Sequence, residues 1–240
     1  MERKDFLLKE VSKIGIDNLS DKQVEQFLKY YDLLVEWNSF MNLTGITEYE
    51  EVVIKHFVDS LSLVKAIDLR QELSLIDIGT GAGFPGLPLK IAFPNLNITL
   101  LDSLNKRIKF LDEVIQQLGL SDINTIHGRA EDFAKPDNMR EKFDLCVSRA
   151  VANLSTLSEY CLPFVKIDGC FISYKSEKLS EELENAKKAI FILGGKFERQ
   201  VDFTLDNDEI YRNLVVIKKI QKTPKQYPRK AGTASKTPIK

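Results

Sequence analysis

Residues 75–86 read Leu75-Ile76-Asp77-Ile78-Gly79-Thr80-Gly81-Ala82-Gly83-Phe84-Pro85-Gly86, and this stretch decides the fold of the 240-residue chain. An apolar run ends in an acid and passes into a turn with four glycines, after which a helix is predicted near Pro85. Glycine has no Cβ and tolerates positive φ, so such a turn lets the backbone pass close to a nucleotide-like ligand. The stretch therefore predicts a nucleotide-type cofactor at the carboxyl end of a first β-strand.

Short apolar runs alternate with helical patterns from about residue 73 onwards. Strands are predicted at Leu73–Ile78, Asn97–Asp102, Ile123–His127, Phe143–Ser148, Gly169–Tyr174, Lys196–Phe203 and Ile210–Ile220. Helices are predicted up to Phe93, up to Leu118, after Asn153 and over Glu177–Leu193. This alternation predicts a mostly parallel sheet with helices on both faces. The last two strands have no helix between them, so we expect an antiparallel hairpin at one edge.

The first 70 residues show helical spacing of apolar side chains instead. Ser20 with Gln23 three residues later is a capping-box pattern, and a further helix is predicted over Glu50–Ile67. We therefore divide the chain into an N-terminal helical extension (1–70), a catalytic domain (71–220) and a basic C-terminal tail (221–240). The tail is rich in Lys, Pro and Thr and is expected to be loosely ordered.

Composition excludes several classes of protein. The chain is 43% hydrophobic, enough for a full core, and no run approaches 18 consecutive apolar residues, so no membrane span is expected. The amino terminus lacks the apolar segment of a signal peptide. Cys146, Cys161 and Cys170 lie in apolar contexts without metal-ligand spacing. They predict buried reduced thiols, no metal site and a cytoplasmic protein.

The net charge of −1 hides an asymmetry between the two ends of the chain. Residues 211–240 contain nine Lys and Arg and no acid, which leaves 25 basic and 35 acidic side chains in the first 210 residues, a net of −10. A basic tail on an acidic body indicates a polyanionic partner such as nucleic acid, or a solubilising terminus. Charge alone does not decide between them.

Two patterns compete for the glycine turn. Gly81 to Gly86 satisfies the dinucleotide pattern G-x-G-x-x-G, while Asp77-x-Gly79-x-Gly81-x-Gly83 is the pattern of S-adenosylmethionine-dependent methyltransferases. Both need an acid for ribose hydroxyls after the second strand, and Asp102 supplies it in either case. Asp77 favours the methyltransferase, because an anion in the turn suits the ammonium and sulfonium of S-adenosylmethionine better than a pyrophosphate. The predicted terminal hairpin favours it too.

Further residues indicate the cofactor pocket and the target atom. The segment Gly128–Asp132 follows the third strand, where it would wall an adenine pocket, and Arg149 ends the fourth strand at the edge that faces ligands. The Asn/Asp-Pro-Pro-aromatic segment typical of amine methylation is absent after that strand, and Cys146 is expected to point into the core rather than serve as the thiolate for cytosine C5 methylation. Guanine N7 remains as a target, since its lone pair needs no general base.

The glycine turn occurs together with several further motifs: Trp37-Asn38, Met41-Asn42-Leu43-Thr44, His56-Phe57-Val58-Asp59-Ser60-Leu61, Leu101-Asp102-Ser103, Arg129-Ala130-Glu131, Ser148-Arg149-Ala150 and Tyr227-Pro228-Arg229-Lys230-Ala231-Gly232-Thr233. In this combination of motifs the chain resembles the RsmG family, also called glucose-inhibited division protein B. Lys175-Ser176 departs from the Lys-Gly expected after the fifth strand and leaves the role of Lys175 open.

The resemblance implies an α/β, Rossmann-like, seven-stranded class I methyltransferase with an N-terminal helical extension. Its implied reaction is methyl transfer from S-adenosylmethionine to N7 of one guanine in 16S ribosomal RNA of the small subunit. Carried over by position, the cofactor contacts are Gly79, Phe84, Ala130, Glu131 and Arg149, with Asp102 on the ribose; Asp77 and Gly81 join them from the turn pattern. Arg149 would position the methionine carboxylate or guanine O6.

RNA contacts are expected from the basic tail, at Arg229, Lys230 and Lys236. His56 lies near Asp59 on one helical face, and a structural hydrogen bond that holds the extension is favoured over an RNA contact. Sequence does not decide whether Trp37, Asn38 and Asn42 contact RNA or seal the extension. We expect a monomer. Two alternatives stay open: a dinucleotide-binding oxidoreductase and a non-catalytic ribosome assembly factor.

Overall fold

A seven-stranded mixed sheet forms the centre of the computed structural model, which describes residues 2–176, 180–207 and 209–240. The strands are β1 (Ser74–Ile78), β2 (Asn97–Asp102), β3 (Ile123–His127), β4 (Phe143–Arg149), β5 (Val165–Lys175), β6 (Gly195–Leu205) and β7 (Ile210–Lys219). Their order is β3-β2-β1-β4-β5-β7-β6. The strands β1 to β5 pair in parallel, whereas β7 pairs antiparallel with β5 and β6. The predicted parallel sheet with a terminal hairpin is confirmed.

The register of the central strands brings their carboxyl ends to one edge. Asp77 of β1 pairs with Leu100 of β2 on one side and with Val147 of β4 on the other. Leu75 and Ile76 are fully buried, as expected for a parallel strand covered on both faces. The glycine turn, the end of β2 and the end of β4 therefore meet at the same edge.

The N-terminal helices share their core with the sheet. They comprise α1 (Arg3–Ser12) and α2 (Asp21–Met41), and Ser20 with Gln23 forms the predicted capping box. Phe27 and Tyr30 of α2 are fully buried, and the Tyr30 hydroxyl donates to the carbonyl of Ala82 in the glycine turn at 2.5 Å. The extension thus supports the turn directly, while its division from the catalytic domain at residue 70 stays a prediction.

The helix predicted over Glu50–Ile67 is not regular. It consists of α3 (Tyr49–Val52), a π-helical segment (Val53–Val58), α4 (Asp59–Leu61) and a 3-10 segment (Ser62–Lys65). A π-helical insertion rotates the side chains that follow it, and such insertions are frequent at functional sites. Periodicity alone indicated a single α-helix and missed this change.

The remaining helices flank the sheet strands. They are α5 (Gly86–Ala92), α6 (Asn105–Leu118), α7 (Ala130–Phe133), α8 (Leu154–Cys161), α9 (Ser180–Ile192) and α10 (Thr233–Lys236), with a 3-10 turn at Leu162–Phe164. The side chain of Asn153 caps α8 by accepting from the amide of Thr156. The first three residues of the helix predicted over Glu177–Leu193 lie outside the described residues.

The expectation of a loosely ordered tail is wrong for residues 221–240. The guanidinium of Arg140 donates to the carbonyl of Tyr227 at 2.7 Å and also contacts the carbonyl of Thr223. Ala234 is 1% exposed and Thr223 is 4% exposed. The composition of the tail resembles a flexible terminus, but its backbone carbonyls and apolar residues find partners on the body of the protein.

The cysteines are confirmed as buried free thiols. Across the described ranges, no helix combines the length and the apolar character needed to cross a membrane.

Candidate functional site

Three neighbouring cavities lie along the carboxyl edge of the sheet. The loop cavity, of about 380 Å³, is lined by Leu43, Thr44, His56, Gly79, Thr80, Gly81, Ala82, Phe84, Asp102, Ser103, Arg107, Arg149, Ala150 and Val151. The C-terminal cavity, of about 210 Å³, is lined by Ile78, Gly79, Leu101, Ser103, Gly128, Arg129, Ala130, Glu131, Val151, Tyr160, Gly232 and Ser235. The arginine cavity, of about 440 Å³, is lined by Ile46, Lys55, His56, Asp59, Arg149, Ala150, Tyr174, Lys175, Ser176, Glu182 and Arg212.

Shared walls join these cavities into one row. Gly79, Ser103 and Val151 line both the C-terminal cavity and the loop cavity. His56 and Arg149 line both the loop cavity and the arginine cavity. A ligand with two linked parts can therefore occupy the first two cavities while a second molecule enters the third beside it.

Asp77 shapes the glycine turn from below. Its Oδ2 accepts from the Thr80 hydroxyl at 2.7 Å and from the Gly86 amide at 2.9 Å. The side chain is fully buried, and burial raises the pKa of this carboxyl to about 7. Asp77 lines none of the three cavities. Oδ2 of Asp77 thus holds the turn, while its Oδ1 is buried and has no hydrogen-bond partner among the described residues. The contact of Asp77 with the cofactor stays a prediction.

Gly79 and Gly81 need the freedom of glycine for different reasons. Both have positive φ, +71° and +64°. A Cβ on Gly79 would lie 2.7 Å from Cγ2 of Val151, whereas a Cβ on Gly81 would have only the Gly79 carbonyl oxygen, at 4.0 Å. Gly79 thus permits close packing against Val151. At Gly81 the space that a side chain would fill is empty and borders the loop cavity, and we call this space the cradle. The cradle fits a ligand that approaches the backbone closely.

Asp102 lies at the end of β2 and faces the loop cavity. Its carboxylate accepts from the amides of Gly81 and Leu104, both at 2.9 Å, and from Nη1 of Arg107 at 3.2 Å. A carboxylate has about four acceptor positions, so about one remains for a ligand hydroxyl. The position and the remaining capacity of Asp102 fit the predicted ribose contact.

Ala130 and Glu131 begin α7 and line the C-terminal cavity, as the sequence predicted for an adenine wall. Ile78 and Leu101 add apolar surface, which suits a flat purine ring. Glu131 Oε1 accepts from the amide of Gly232 at 2.8 Å. Sequence reasoning missed Gly232 as part of this site, although it lies in the quoted family motif at the C-terminus.

Phe84 contacts two residues that border the loop cavity. The His56 ring stacks on the Phe84 ring with centroids 4.6 Å apart, and the Arg149 guanidinium carbon lies 5.0 Å from the Phe84 centroid. An arginine at this distance from an aromatic ring gains a cation–π attraction. Phe84 thus helps to orient Arg149 at the boundary with the arginine cavity.

Asp59 joins two arginines that are distant in sequence. Its Oδ2 accepts from Nη1 of Arg149 at 2.7 Å, and its Oδ1 accepts from Nε of Arg212 at 3.1 Å. The side chain of Asp59 is 5% exposed, so these charges interact where water screens them little. Sequence reasoning missed this pairing, because no local pattern relates the three residues.

His56 makes the structural hydrogen bond that was predicted, but to a different partner. Its Nε2 lies 2.8 Å from the Thr44 hydroxyl, while Asp59 is taken by the arginines. Burial, followed by the positive charge of Arg149, lowers the pKa of His56 to about 3. His56 is therefore a neutral wall of the site at physiological pH.

Three residues of the extension whose roles the sequence leaves undecided, Trp37, Asn38 and Asn42, have structural contacts. Trp37 packs on Phe110 with ring centroids 5.6 Å apart, and Asn42 ends α2 with φ of +52°. The Asn38 side-chain oxygen accepts from the amides of Leu43 and Thr44, the latter at 2.9 Å. These contacts seal the extension and shape the segment that lines the loop cavity.

Lys175 also has partners within the protein. Its Nζ donates to the carbonyl of Ala152 at 3.1 Å and to Oε1 of Glu182 at 2.6 Å. Lys175 therefore ties the segment after β4 to α9 beside the arginine cavity.

The three basic residues predicted in the tail differ in accessibility. Lys230 and Lys236 are exposed, and within the described residues neither forms an ion pair. Arg229 instead directs its guanidinium at Glu159, with Nη2 to Oε2 at 2.6 Å. The structure thus leaves the two lysines available to a partner and engages Arg229 internally.

Sequence comparison gives matches over nearly the whole chain. The GidB family model, described as rRNA small subunit methyltransferase G, matches residues 23–214. A protein of Lachnoclostridium phytofermentans named ribosomal RNA small subunit methyltransferase G is 58% identical over 94% of this chain and 93% of its own. A protein of the same name from Alkaliphilus metalliredigens is 54% identical over all of both chains.

Comparison with solved structures finds a similar fold over about two thirds of this chain in proteins of low identity. TrmN from Thermus thermophilus matches with a TM-score of 0.53 and 18% identity over 68% of this chain and 49% of its own. TYW2 from M. jannaschii, solved in complex with AdoMet, matches with a TM-score of 0.52 and 14% identity over 63% of this chain and 71% of its own. These likenesses concern the fold.

Proposed function

Because this chain belongs to the family of ribosomal RNA small subunit methyltransferase G, we propose that it transfers the methyl group of S-adenosylmethionine to N7 of one guanine in 16S ribosomal RNA. It acts on the small ribosomal subunit in the cytoplasm, as a monomer. The division into extension, catalytic domain and basic tail belongs to the same proposal.

The row of three joined cavities is the observation that carries the proposal. Ala130 and Glu131 would hold the adenine of S-adenosylmethionine in the C-terminal cavity, and Asp102 would accept from its ribose hydroxyls. Gly81 would leave room for the methionine part beside the glycine turn, and Arg149 would hold its carboxylate. The target guanine enters the arginine cavity, which shares Arg149 with the loop cavity. Donor and acceptor then meet at one boundary, as in-line transfer requires.

Bound S-adenosylmethionine supplies an electrophilic methyl group on a sulfonium. The protein orients the reactants and excludes water, and proximity and orientation together can supply roughly 7–11 kcal/mol of a barrier. Guanine N7 carries an in-plane lone pair at neutral pH, so no side chain has to remove a proton from it. His56 lies where the loop cavity meets the arginine cavity, and its pKa is lowered to about 3. Its imidazole is therefore a weak base, which agrees with a reaction that needs none.

Arg149 acts by positioning rather than by stabilising the reacting nitrogen. Methylation moves positive charge from sulfur to the guanine ring, and a cation beside N7 would oppose that movement. The guanidinium instead holds the methionine carboxylate, or donates to guanine O6 while N7 stays free. Its side chain is 14% exposed and is held by Asp59, which fixes its direction before either ligand arrives.

Lys230 and Lys236 contact RNA phosphates. Each is exposed on the basic C-terminal region, and each phosphate contact adds about one unit to the salt dependence of binding. In the double variant Lys230→Ala/Lys236→Ala, RNA binding should weaken and its salt dependence should flatten, while S-adenosylmethionine affinity stays the same. RNA affinity measured between about 50 and 200 mM salt, where phosphate contacts change affinity strongly, tests this assignment. An unchanged slope would contradict it.

The reaction is tested with methyl-labelled S-adenosylmethionine and small ribosomal subunits from cells that lack this gene. We expect label at N7 of a single guanine of the 16S RNA, located by cleavage at 7-methylguanine and sequencing. Label on another atom or several nucleotides would contradict the target. Cofactor binding without any transfer, to subunits or to assembly intermediates, would instead favour the non-catalytic assembly factor. Preference for a nicotinamide dinucleotide would favour the oxidoreductase.

A further inference from the structure

The C-terminal segment, residues 226–240, supplies one wall of the C-terminal cavity. Gly232 and Ser235 line this cavity together with residues of α7. The Gly232 amide donates to Oε1 of Glu131 at 2.8 Å, and Gly232 has φ of +81°. The wall therefore depends on a backbone that has to be held in place on the surface of the catalytic domain.

Arg229 is the anchor of this segment. Its Nε donates to Oε1 of Glu159 at 2.9 Å and its Nη2 donates to Oε2 at 2.6 Å, so the two side chains pair as a fork. The Arg229 amide also donates to Oε1 of Glu159 at 2.8 Å. The Glu159 side chain is 1% exposed, and the pairing with it raises the pKa of Arg229. Charge-assisted bidentate pairs of this kind are strong and directional.

The same guanidinium also reaches across the segment. Nη2 of Arg229 donates to the carbonyl of Thr237 at 3.0 Å, so Arg229 fixes the segment on both sides of Gly232 and Ser235. Further bonds run from α8 to the segment, with the Thr156 hydroxyl donating to the carbonyl of Ala234 at 3.2 Å. The helix that carries Glu159 thus sets where the wall stands.

We propose that Arg229 is a positioning residue for cofactor binding: its fork on Glu159 holds Gly232 and Ser235 as the wall of the adenine subsite. This inference rests on the proposed function, since it takes the C-terminal cavity as the place of adenine. It also separates Arg229 from its neighbour Lys230, which is exposed and contacts RNA in that proposal. The same basic motif then serves two purposes, one facing inwards and one facing outwards.

Four variants test the assignment: Arg229→Ala removes the anchor, Arg229→Lys keeps the charge without the fork, Glu159→Gln keeps the shape without the charge, and Lys230→Ala is the matched control. Calorimetry gives the affinity for S-adenosylmethionine and for 5′-methylthioadenosine, which lacks the amino-acid part. We expect Arg229→Ala to weaken both by about tenfold, which corresponds to about 1.4 kcal/mol. Glu159→Gln should weaken both similarly, Arg229→Lys should weaken both less, and Lys230→Ala should leave both within about twofold of wild type.

Kinetics separates positioning from general loss of structure and from RNA contact. For Arg229→Ala we expect a higher KM for S-adenosylmethionine, with kcat at saturating cofactor and KM for ribosomal subunits close to wild type. Unchanged cofactor affinity in Arg229→Ala and Glu159→Gln would overturn the inference. A higher KM for subunits with a flatter salt dependence would assign Arg229 to RNA instead.

Two further measurements check that the variants fold and that the unmodified protein binds S-adenosylmethionine. Thermal unfolding is recorded for each variant, and if Arg229→Ala does not fold, the comparison of Arg229→Lys with Lys230→Ala decides, because both are mild changes. If Arg229→Lys then binds S-adenosylmethionine within about twofold of wild type, as Lys230→Ala does, the inference is overturned. Failure of the unmodified protein to bind S-adenosylmethionine would overturn the proposed function, and this inference with it.

Discussion

The loop cavity and the arginine cavity are neighbours built in opposite ways. The principal residues of the loop cavity, Gly79, Gly81 and Asp102, come from one strand–turn–helix–strand unit of the chain. The arginine cavity joins Lys55 and Asp59 of the extension to Arg149 of β4 and Arg212 of β7. Asp59 is 90 positions from Arg149 and 153 positions from Arg212. Short-range structure supplies the glycine turn and Asp102 of the loop cavity, to which the extension adds Thr44 and His56 and the end of β4 adds Arg149. The arginine cavity has no such local unit and is formed only by the completed fold.

The two cavities therefore suit different ligands. Close backbone approach at Gly81 suits a nucleoside-type cofactor, whereas a cluster of partly paired cations suits an RNA nucleotide with its phosphates. Arg149 is the residue at which the two meet. Substitutions can therefore be chosen to affect one cavity, the other or both.

The largest effect is expected from Arg149→Ala, because it affects both cavities. Loss of a charge-assisted contact costs roughly 1.5–3 kcal/mol, and misplacement of reactants by about 1 Å can cost about 100-fold. We expect kcat/KM to fall on the order of 1000-fold, with weaker S-adenosylmethionine binding as well. Steady-state kinetics and calorimetry measure the two. Arg199→Ala, a distant arginine on β6, is the control, and a loss below tenfold for Arg149→Ala would contradict its position at the boundary.

Gly81→Ala should damage the loop cavity alone. A methyl group at this position projects into the cradle, so we expect S-adenosylmethionine to bind about 100-fold more weakly, which corresponds to about 2.7 kcal/mol. Gly119→Ala is a matched control, since Gly119 has φ of +59° and nothing within 4 Å of an added Cβ. Both variants should lose about 1–2 kcal/mol of stability from the left-handed backbone. Equal losses of affinity in both would show that strain, rather than the cradle, is responsible.

Asp59→Asn should damage the arginine cavity more than the loop cavity, because Arg149 lines both but Asp59 lines only the arginine cavity. The substitution leaves Arg149 and Arg212 without their shared anion, so we expect kcat to fall about tenfold through misplacement of Arg149. S-adenosylmethionine affinity should change less than about threefold. Since breaking a buried pair costs roughly 3–5 kcal/mol of stability, assays are run well below the melting temperature of the variant. A selective loss of cofactor affinity would contradict the separation of the two cavities.

His56→Gln should have the smallest effect, and it concerns stability more than activity. The pKa of His56 is lowered to about 3 in the folded protein, so between pH 6.5 and 3 the unfolded state binds a proton that the folded state does not. The free energy of unfolding therefore falls as pH falls through that range, by at most about 1.4 kcal/mol per pH unit, and is unaffected above it.

Denaturant unfolding of both proteins between pH 5 and 8 tests this prediction. The variant should lose less stability than wild type on acidification, and its activity at pH 7–8 should stay within about threefold, because the neutral ring removes no proton. A large loss of kcat at neutral pH would show that His56 has a catalytic role.

The sequence predictions were accurate for features that depend on neighbouring residues and missed contacts between residues that are distant in the chain. The strand ends and the glycine turn were predicted because alternation and turn chemistry are local properties, and β2, Asn97–Asp102, has the predicted bounds. The methyltransferase family was predicted from motifs and is confirmed. The π-helical segment Val53–Val58 was missed, because its apolar spacing differs little from that of an α-helix.

Long-range pairings were beyond the sequence patterns. Asp59 was predicted to pair with His56, its neighbour on one helical face. In the structure its carboxylate instead accepts hydrogen bonds from two arginines that are distant in the chain. Arg229 was predicted to contact RNA from the basic tail and the family motif, and nothing near it in sequence indicates Glu159 as a buried partner. In both cases an ion pair depends on which elements pack together, and that is decided by the whole fold.

In our proposal, cofactor and guanine occupy adjacent cavities that meet at Arg149. A crystal structure of the protein with S-adenosylhomocysteine and guanosine monophosphate would locate both ligands. We expect adenine against Ala130 and Gly232, the homocysteine sulfur near Arg149, and the guanine base in the arginine cavity with N7 directed at that sulfur. Guanine bound away from the arginine cavity, or adenine within it, would show that the proposed arrangement is wrong.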